Sequence, residues 1–133
     1  PLQKGQTITD GDKVYTPDMV LGEARRGLKV SYCTDTRPVS AIAEYAKDAD
    51  LMICEGMYGE PDKQQKAREH KHMTMQEAAK LAAEAKPKEL WLTHYSPSLN
   101  YPEEYMAEIR KIFPAAKAAK DGWTMELVFP EEA

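Results

Sequence analysis

The sequence predicts an α/β fold in which a mainly parallel sheet is covered by helices. Short apolar runs rich in β-branched and aromatic residues alternate along the chain with longer segments of helical spacing. This alternation is typical of parallel sheets, because a chain that passes between parallel strands needs a long connection, which is usually a helix. A second observation is that clusters of polar residues follow three of the predicted strands.

The first half of the chain is predicted to form a hairpin, a strand, a helix and another strand. QTITDGDKVYTP at residues 6–17 alternates and carries an Asp-Gly pair, which predicts a strand or loose hairpin with its turn at that pair. LKVSYC at 28–33 is short and β-rich, so it predicts a strand. SAIAEYAKDA at 40–49 has helical spacing, and Ser40 is a suitable cap. DLMIC at 50–54 follows as a buried strand.

The second half of the chain continues the alternation. MQEAAKLAAEA at 75–85 is rich in alanine and follows Thr74, which forms a capping box with the glutamate three residues later. ELWLT at 89–93 predicts the next strand. PEEYMAEIRKIF at 102–113 begins with a proline and two acidic residues, which suit the first turn of a helix. WTMELVF at 123–129 predicts a closing strand.

Composition restricts the class of protein. The chain has 133 residues, of which 42% are hydrophobic and 30% charged, as expected for one soluble globular domain or part of one. No apolar run is long enough to span a membrane and no leader segment is visible, so we expect a cytoplasmic protein without a membrane partner. Cys33 and Cys54 fit small buried strand residues in a reducing compartment.

The charge distribution limits the modes of nucleic-acid binding. The net charge of −4 argues against nonspecific binding through bulk electrostatics, but it leaves room for a local site. The segment at residues 63–72 contains four Lys or Arg residues and two histidines. Such a patch is most often the solvated face of a helix, and we expect His70 within it to be exposed.

Three polar clusters indicate where a functional site lies. TDTRP, EGMYGE and HYS each begin directly after a predicted strand. Ligands bind at the carboxyl ends of strands in open α/β sheets, where loops from neighbouring strands meet. We therefore expect Asp35, Glu55 and His94 to converge on one edge of the sheet, although they lie far apart in sequence.

The residue types at this edge suit metal binding and proton transfer. Zinc binds imidazole nitrogen and carboxylate oxygen at about 2.0–2.2 Å, so Asp35 and His94 are candidate ligands. His72 lies just before the predicted cap Thr74, where the helix dipole disfavours imidazolium, but a nearby carboxylate such as Glu55 would offset this effect. A histidine oriented by a carboxylate can act as a general acid or base. The simplest alternative for His94 is a histidine whose nitrogens are satisfied at a strand end.

Four segments together carry a resemblance to a known family. They are GLKVSYCTDTRP at 27–38, ADLMICEGMYGE at 49–60, KHMTMQEAAKLA at 71–82 and LWLTHYSPSL at 90–99. In order and spacing they resemble the C-terminal half of ribonuclease Z, the tRNA 3′-processing endonuclease family of the metallo-β-lactamase fold. The likeness is closest to the clostridial type of that family.

The resemblance implies a role for each of the candidate residues. Asp35 is similar to the aspartate that bridges two zinc ions, and His94 to a histidine that ligates one of them. His72 resembles the histidine that helps to protonate the leaving oxygen, and Glu55 the carboxylate that orients it. The resemblance implies a zinc phosphodiesterase that contains two ions when it is intact.

The resemblance also implies two substrate-binding residues and an incomplete domain. Ser96 lies where the family places a hydroxyl near the scissile phosphate, and we expect Thr93 to contact substrate beside it. We expect residues 1–133 to form a single partial domain, the C-terminal half of an αββα sandwich with a mainly parallel sheet and helices on one face. The other face should be apolar.

The partners of the chain follow from what the resemblance says is missing. The H-x-H-x-D-H signature, which supplies most zinc ligands in the family, is absent from a chain that has three histidines and no such spacing. We therefore expect an N-terminal half as a partner, precursor tRNA as the substrate of the intact enzyme, and formation of a homo-oligomer. The chain alone should be inactive and bind zinc weakly or not at all.

Two alternatives to a tRNA-processing endoribonuclease stay open. One is another phosphodiesterase of the metallo-β-lactamase fold that acts on a smaller substrate. The other is a non-catalytic α/β module that binds a partner through the same edge of the sheet. Metal-dependent activity after an H-x-H-x-D-H half is supplied separates an enzyme from the interaction module.

Overall fold

The computed structural model describes residues 1–129 and contains six strands and four α-helices within that range. The strands are β1 Ile8–Asp10, β2 Lys13–Tyr15, β3 Val30–Cys33, β4 Leu51–Glu55, β5 Leu90–Thr93 and β6 Ala116–Ala118. The helices are α1 Ser40–Ala46, α2 Gln64–His70, α3 Met75–Ala85 and α4 Met106–Ile112.

The main sheet has four parallel strands in the order β3-β4-β5-β6, which confirms the predicted fold class. The register pairs Cys33 with Cys54 and Glu55 with Thr93, so three neighbouring strands end at nearly the same level. The predicted hairpin also forms, as the separate antiparallel pair β1 and β2. Its turn includes Gly11, whose φ of 60° lies in the left-handed region that glycine tolerates.

The helices pack on one face of the sheet and form the main core there. Alternate strand residues point to this face, as the period of two in a strand requires. The largest of them, Met52, Leu90 and Leu92, are fully buried against α3 and its neighbours. Burial of a side chain of this size stabilises the fold by about 1.5–3 kcal/mol. The buried side of α3 is mostly alanine, which lets the helix lie close to the strands.

The α3 helix begins with the predicted capping box. The Thr74 hydroxyl accepts a hydrogen bond from the Glu77 N–H at 3.2 Å, and the Glu77 carboxylate accepts one from the Thr74 N–H at 3.0 Å. These bonds satisfy two amide groups that have no partner within a helix. The box fixes the start of α3 at Met75, three residues after His72.

The second face of the sheet is apolar, as expected, and part of it is uncovered. Val30 and Tyr32 of β3 are 54% and 68% exposed. Leu51 and Trp91 lie on the same face but are buried beneath the C-terminal segment, where the Trp91 and Trp123 rings meet edge to face at 5.3 Å. The uncovered area therefore lies at the β3 side of the sheet.

Two local expectations are wrong. Residues 123–129 form no strand, and the strand that closes the sheet is β6, an Ala-Lys-Ala segment of low β-propensity. From Met125 onward every second side chain of this segment is half-buried, whereas Trp123 is exposed, and the segment has no neighbouring strand to pair with. Ser40 is the first residue of α1 and not its cap, since Val39 occupies the cap position and forms no side-chain cap bond.

The basic segment at residues 63–72 contains α2, and most of its side chains are exposed. His70 is exposed, as expected, while Ala67 anchors the helix to Met57 and Tyr58. Within residues 1–129, no helix is long and apolar enough to cross a membrane.

The opposite, amino-terminal edge of the sheet is held by a buried carboxylate. Asp50, directly before β4, accepts hydrogen bonds from Arg26 at 2.9 Å and from the Lys29 N–H at 2.8 Å. The Lys88 ammonium lies 3.1 Å away. The hydrogen bond from Arg26 is the main reason that the pKa of Asp50 lies well below its usual range.

Replacing Asp50 by asparagine is expected to lower the free energy of unfolding by about 1.5–3 kcal/mol, the usual contribution of hydrogen bonds to a charged group. A lowered pKa stabilises the folded state at pH values above the unfolded carboxyl pKa of about 3.9. The difference between wild type and variant should therefore shrink as the pH falls below that value. Urea unfolding at neutral and acid pH measures this difference in the free energy of unfolding. Asp48→Asn, at an exposed position, is the control. An equal loss of unfolding free energy in both variants would contradict the stabilising role given to Asp50.

Candidate functional site

The site lies at the carboxyl-terminal edge of the sheet, where the loops after β3 and β5 bring Asp35 and His94 together. Both residues have a φ of 55°, in the left-handed region that is strained by about 1 kcal/mol or more for side chains other than glycine. This conformation turns the chain sharply at each strand end. The His94 Nε2 atom and the Asp35 Oδ1 atom lie 3.9 Å apart, and both side chains reach solvent.

His72 joins this pair from the segment between α2 and α3. Lys71 ends α2 with a φ of 60°, and the His72 N–H bonds back to the Ala67 carbonyl at 2.8 Å. The His72 and His94 ring centroids are 5.5 Å apart. Asp35, His72 and His94 each offer one ligand atom to a group in which all these atoms lie within 4.8 Å of one another.

Glu55 completes the cluster from the end of β4 and is fully buried. Its carboxylate accepts hydrogen bonds from His72 Nδ1 at 3.0 Å, from the Met73 N–H at 3.1 Å and from the Thr36 N–H at 2.9 Å. An ionised carboxylate only accepts, so the neutral His72 ring carries its proton on Nδ1. This arrangement leaves His72 Nε2 as the ring nitrogen that is free to exchange a proton with a ligand.

The structure thus brings together four of the six residues proposed from sequence. Thr93 is also near, because it pairs with Glu55 in the sheet and lines a cavity together with His94. Ser96 is less directly placed. Its hydroxyl contacts that of Ser98 at 2.8 Å, and it is not among the residues that line the cavity.

The cavity beside His94 has a volume of about 680 Å³ and opens to solvent. Its walls come from the loop after β5 and the turn after β6, and they combine the Leu99 side chain with the polar Asn100 and Lys120. A cavity of this size next to the cluster offers room for a substrate group.

One residue at the site was not predicted from sequence. Arg37, two residues after Asp35, forms an ion pair with Glu77 at 2.6 Å and donates a hydrogen bond to the His72 carbonyl at 2.5 Å. Its only sequence signal was its place in the polar cluster TDTRP. That cluster predicted a functional loop, but it did not predict which helix the loop contacts.

The donor set fits a borderline metal such as zinc. One carboxylate and two imidazoles are the ligand types of catalytic zinc sites, which keep a position open for water or substrate. Bonds of about 2.0–2.2 Å require ligand atoms somewhat closer than the 3.9 Å between Asp35 and His94. Both of these side chains are exposed enough to close that difference by rotation. The residues therefore fit a metal centre, although only part of one.

Similar proteins include several named ribonuclease Z. That of Lachnospira eligens is 61% identical over 131 residues, and that of Lachnoclostridium phytofermentans is 62% identical over 128 residues. These matches cover 98% and 96% of this chain but 43% and 42% of the relatives' own lengths. The chain therefore spans less than half the length of the relatives it matches.

Solved structures share the fold. The short form of human tRNase Z and the metallo-β-lactamase-fold protein YhfI of Bacillus subtilis each match with a TM-score of 0.61. The sequence identities are 24% and 26%, and the matches cover 87% and 88% of this chain. They cover 36% and 41% of the two solved chains, so these proteins too are matched only in part.

The family model described as the beta-lactamase superfamily domain matches residues 11–95, which is more than half of the chain. That range contains β3, β4 and β5 and all of Asp35, Glu55, His72 and His94. The chain belongs to the beta-lactamase superfamily, and over nearly its whole length it resembles ribonuclease Z.

Proposed function

We propose that this chain supplies the carboxyl-terminal half of a zinc-dependent endoribonuclease that processes the 3′ end of precursor tRNA. The observation that carries the proposal is the convergence of the His72–Glu55 pair on the Asp35–His94 pair. The identity of about 60% to proteins named ribonuclease Z across this half supports the choice of substrate. In this proposal residues 1–133 are one partial domain.

Asp35 and His94 would hold the metal in this proposal. Two zinc ions, when bound, would activate the attacking water and stabilise both in-line oxygens of the phosphodiester. Asp35 and His94 would be the ligands that this chain contributes. Their strained backbone conformations support this assignment, because such strain is found most often at functional sites.

His72 would act as the general acid. Glu55 accepts a hydrogen bond from the Nδ1–H group and so holds the ring with Nε2 directed away from the buried carboxylate. A proton on Nε2 would pass to the oxygen that leaves the phosphate, and Glu55 would stabilise the imidazolium before transfer. The hydroxyls of Thr93 and Ser96 would contact the substrate near the scissile phosphate.

The proposal requires a partner segment that carries the remaining ligands. Catalytic zinc sites have at least three protein ligands, whereas His72 is assigned to proton transfer, which leaves Asp35 and His94 for metal. Val30 and Tyr32 on the exposed sheet face are available to pack against an N-terminal half or a second copy of the chain. We propose both contacts for the assembled enzyme, in the reducing cytoplasm that the two free cysteines favour.

Reassembly from two chains tests the proposed function. This chain alone is expected not to cleave precursor tRNA, because its ligand set is incomplete. Cleavage is expected when it is mixed, in the presence of zinc, with the part of Lachnospira eligens ribonuclease Z that it does not match. The measurement is the rate at which the 3′ trailer is released from a labelled precursor tRNA, with each half alone as control.

The same mixture separates the alternatives. Hydrolysis of a small phosphodiester without cleavage of tRNA would favour a phosphodiesterase for smaller substrates. Binding between the halves with no metal-dependent hydrolysis of either substrate would indicate a non-catalytic interaction module and would contradict the proposed function.

A further inference from the structure

Arg37 links the loop that carries Asp35 to the segment that carries His72. Its guanidinium forms two parallel hydrogen bonds with the Glu77 carboxylate, at 3.0 and 2.6 Å. The same group donates a third bond to the His72 carbonyl oxygen at 2.5 Å. The three contacts join residues that are 35 to 40 positions apart in sequence.

Glu77 is a rigid anchor for this link. Its carboxylate also closes the capping box at the start of α3, and its side chain is only 10% exposed. Burial raises the pKa of Glu77, but the bonds from Arg37 and the Thr74 N–H outweigh burial and lower the pKa overall. Glu77 is therefore ionised at neutral pH and holds the guanidinium in a fixed orientation.

His72 is consequently held by two side chains, in addition to the bond from its N–H to the Ala67 carbonyl. Glu55 binds its ring at Nδ1, and Arg37 binds its backbone carbonyl. The loop of Asp35 has the same two anchors, since the Thr36 N–H bonds to Glu55 and Arg37 bonds to Glu77. With Arg37 removed, Glu55 would be the side chain that still bonds to both segments.

We propose that Arg37 is a positioning residue that fixes the His72 ring against Glu55 and sets the distance between His72 and the loop of Asp35. The position of His72 is a property of the isolated chain, and only its consequence for catalysis rests on the proposed function. Lysine cannot replace arginine here, because one ammonium cannot form the parallel pair of bonds with Glu77 and still reach the His72 carbonyl.

The chain offers a matched control at the opposite edge of the sheet. Arg26 also bonds to a buried carboxylate, that of Asp50, and to a backbone carbonyl, that of Asp48. Loss of either arginine leaves a buried carboxylate with fewer donors and should reduce stability. Only Arg37 contacts the segment of His72.

The experiment measures the tautomer of His72 by NMR of the ring nitrogens in the isolated chain, at a fixed pH well above the usual histidine pKa of about 6.5. The wild type is expected to show protonation of Nδ1 alone. Arg37→Ala should give a mixture of the Nδ1-H and Nε2-H forms, and Arg26→Ala should keep the wild-type pattern. Arg37→Lys and Glu77→Gln should each give a smaller fraction of the Nε2-H form. If Arg37→Ala does not fold, these two variants are measured in its place.

Two results would overturn the proposal. One is a folded Arg37 or Glu77 variant in which His72 keeps the wild-type tautomer. The other is the same tautomer change in Arg26→Ala, which would mean that any loss of stability produces it. This readout needs neither metal nor RNA, so it stands even if the reassembled halves fail to cleave tRNA. If they do cleave it, Arg37→Ala should lower kcat by about 10–100-fold, the usual effect of losing a supporting contact at a metal site.

Discussion

Replacing His94 by alanine in the reassembled enzyme is expected to remove bound zinc and abolish cleavage of precursor tRNA. In the proposed function His94 is one of two metal ligands on this chain, so its loss would leave Asp35 as the one ligand that this chain adds to those of the other half. The loss of activity should exceed the roughly 10–100-fold effect of changes outside the ligand shell. Zinc per reassembled enzyme, measured by mass spectrometry, and the initial cleavage rate together check this expectation.

The control for His94→Ala is His70→Ala. His70 is exposed on α2 and belongs to no group of potential ligands among residues 1–129. The His70 variant should keep both zinc and activity. If His94→Ala kept its zinc and cleaved at the wild-type rate, His94 would be an ordinary histidine at a strand end.

Replacing His72 by alanine is expected to leave zinc in place and to slow turnover by roughly 10²–10⁴-fold, the usual effect of losing a positioned general acid. The expectation follows from the hydrogen bond between His72 Nδ1 and the buried Glu55 carboxylate. Among the histidines of residues 1–129, His72 alone has a carboxylate within hydrogen-bond distance, since His94 lies 3.9 Å from Asp35. Single-turnover rates and zinc content, measured on the same samples, check this expectation.

The two variants together decide between the roles of the histidines. The ligand atom of His72 lies within 4.8 Å of those of Asp35 and His94, so His72 is the alternative zinc ligand. Loss of zinc in His72→Ala with zinc retained in His94→Ala would show that the two roles are reversed. Glu55→Gln provides a further check, since it should reproduce the slow turnover of His72→Ala without removing metal.

Local signals in the sequence were sufficient to predict most elements of the fold. The alternation of apolar strands with helical segments predicted the parallel sheet. This was possible because the spacing of apolar residues that marks a strand or a helix depends on neighbouring residues only. The capping box at Thr74 formed as predicted for the same reason. The position of the polar clusters after strands also predicted the correct edge of the sheet, since parallel strands end together.

Errors arose where pairing between distant segments overrides local preference. The segment at 123–129 has the alternation of a strand, yet the place beside β5 is taken by the Ala-Lys-Ala segment of β6. Strand propensity depends on the neighbours that a segment finds, and those neighbours are not encoded within the segment. Residues 123–129 instead lie over Trp91 without entering the ladder.

Patterns in the sequence were enough to predict the fold class and the edge that bears the site, and a family resemblance added roles for the candidate residues Asp35, Glu55, His72 and His94. The way in which these side chains meet depends on contacts that form only in the folded chain. The orientation of His72 depends on three hydrogen bonds to one buried carboxylate, and the link through Arg37 depends on the packing of α3 beside the loop after β3. These contacts join residues far apart along the chain, so their geometry is set by the register of parallel strands and by helix packing, which no local pattern of residues contains.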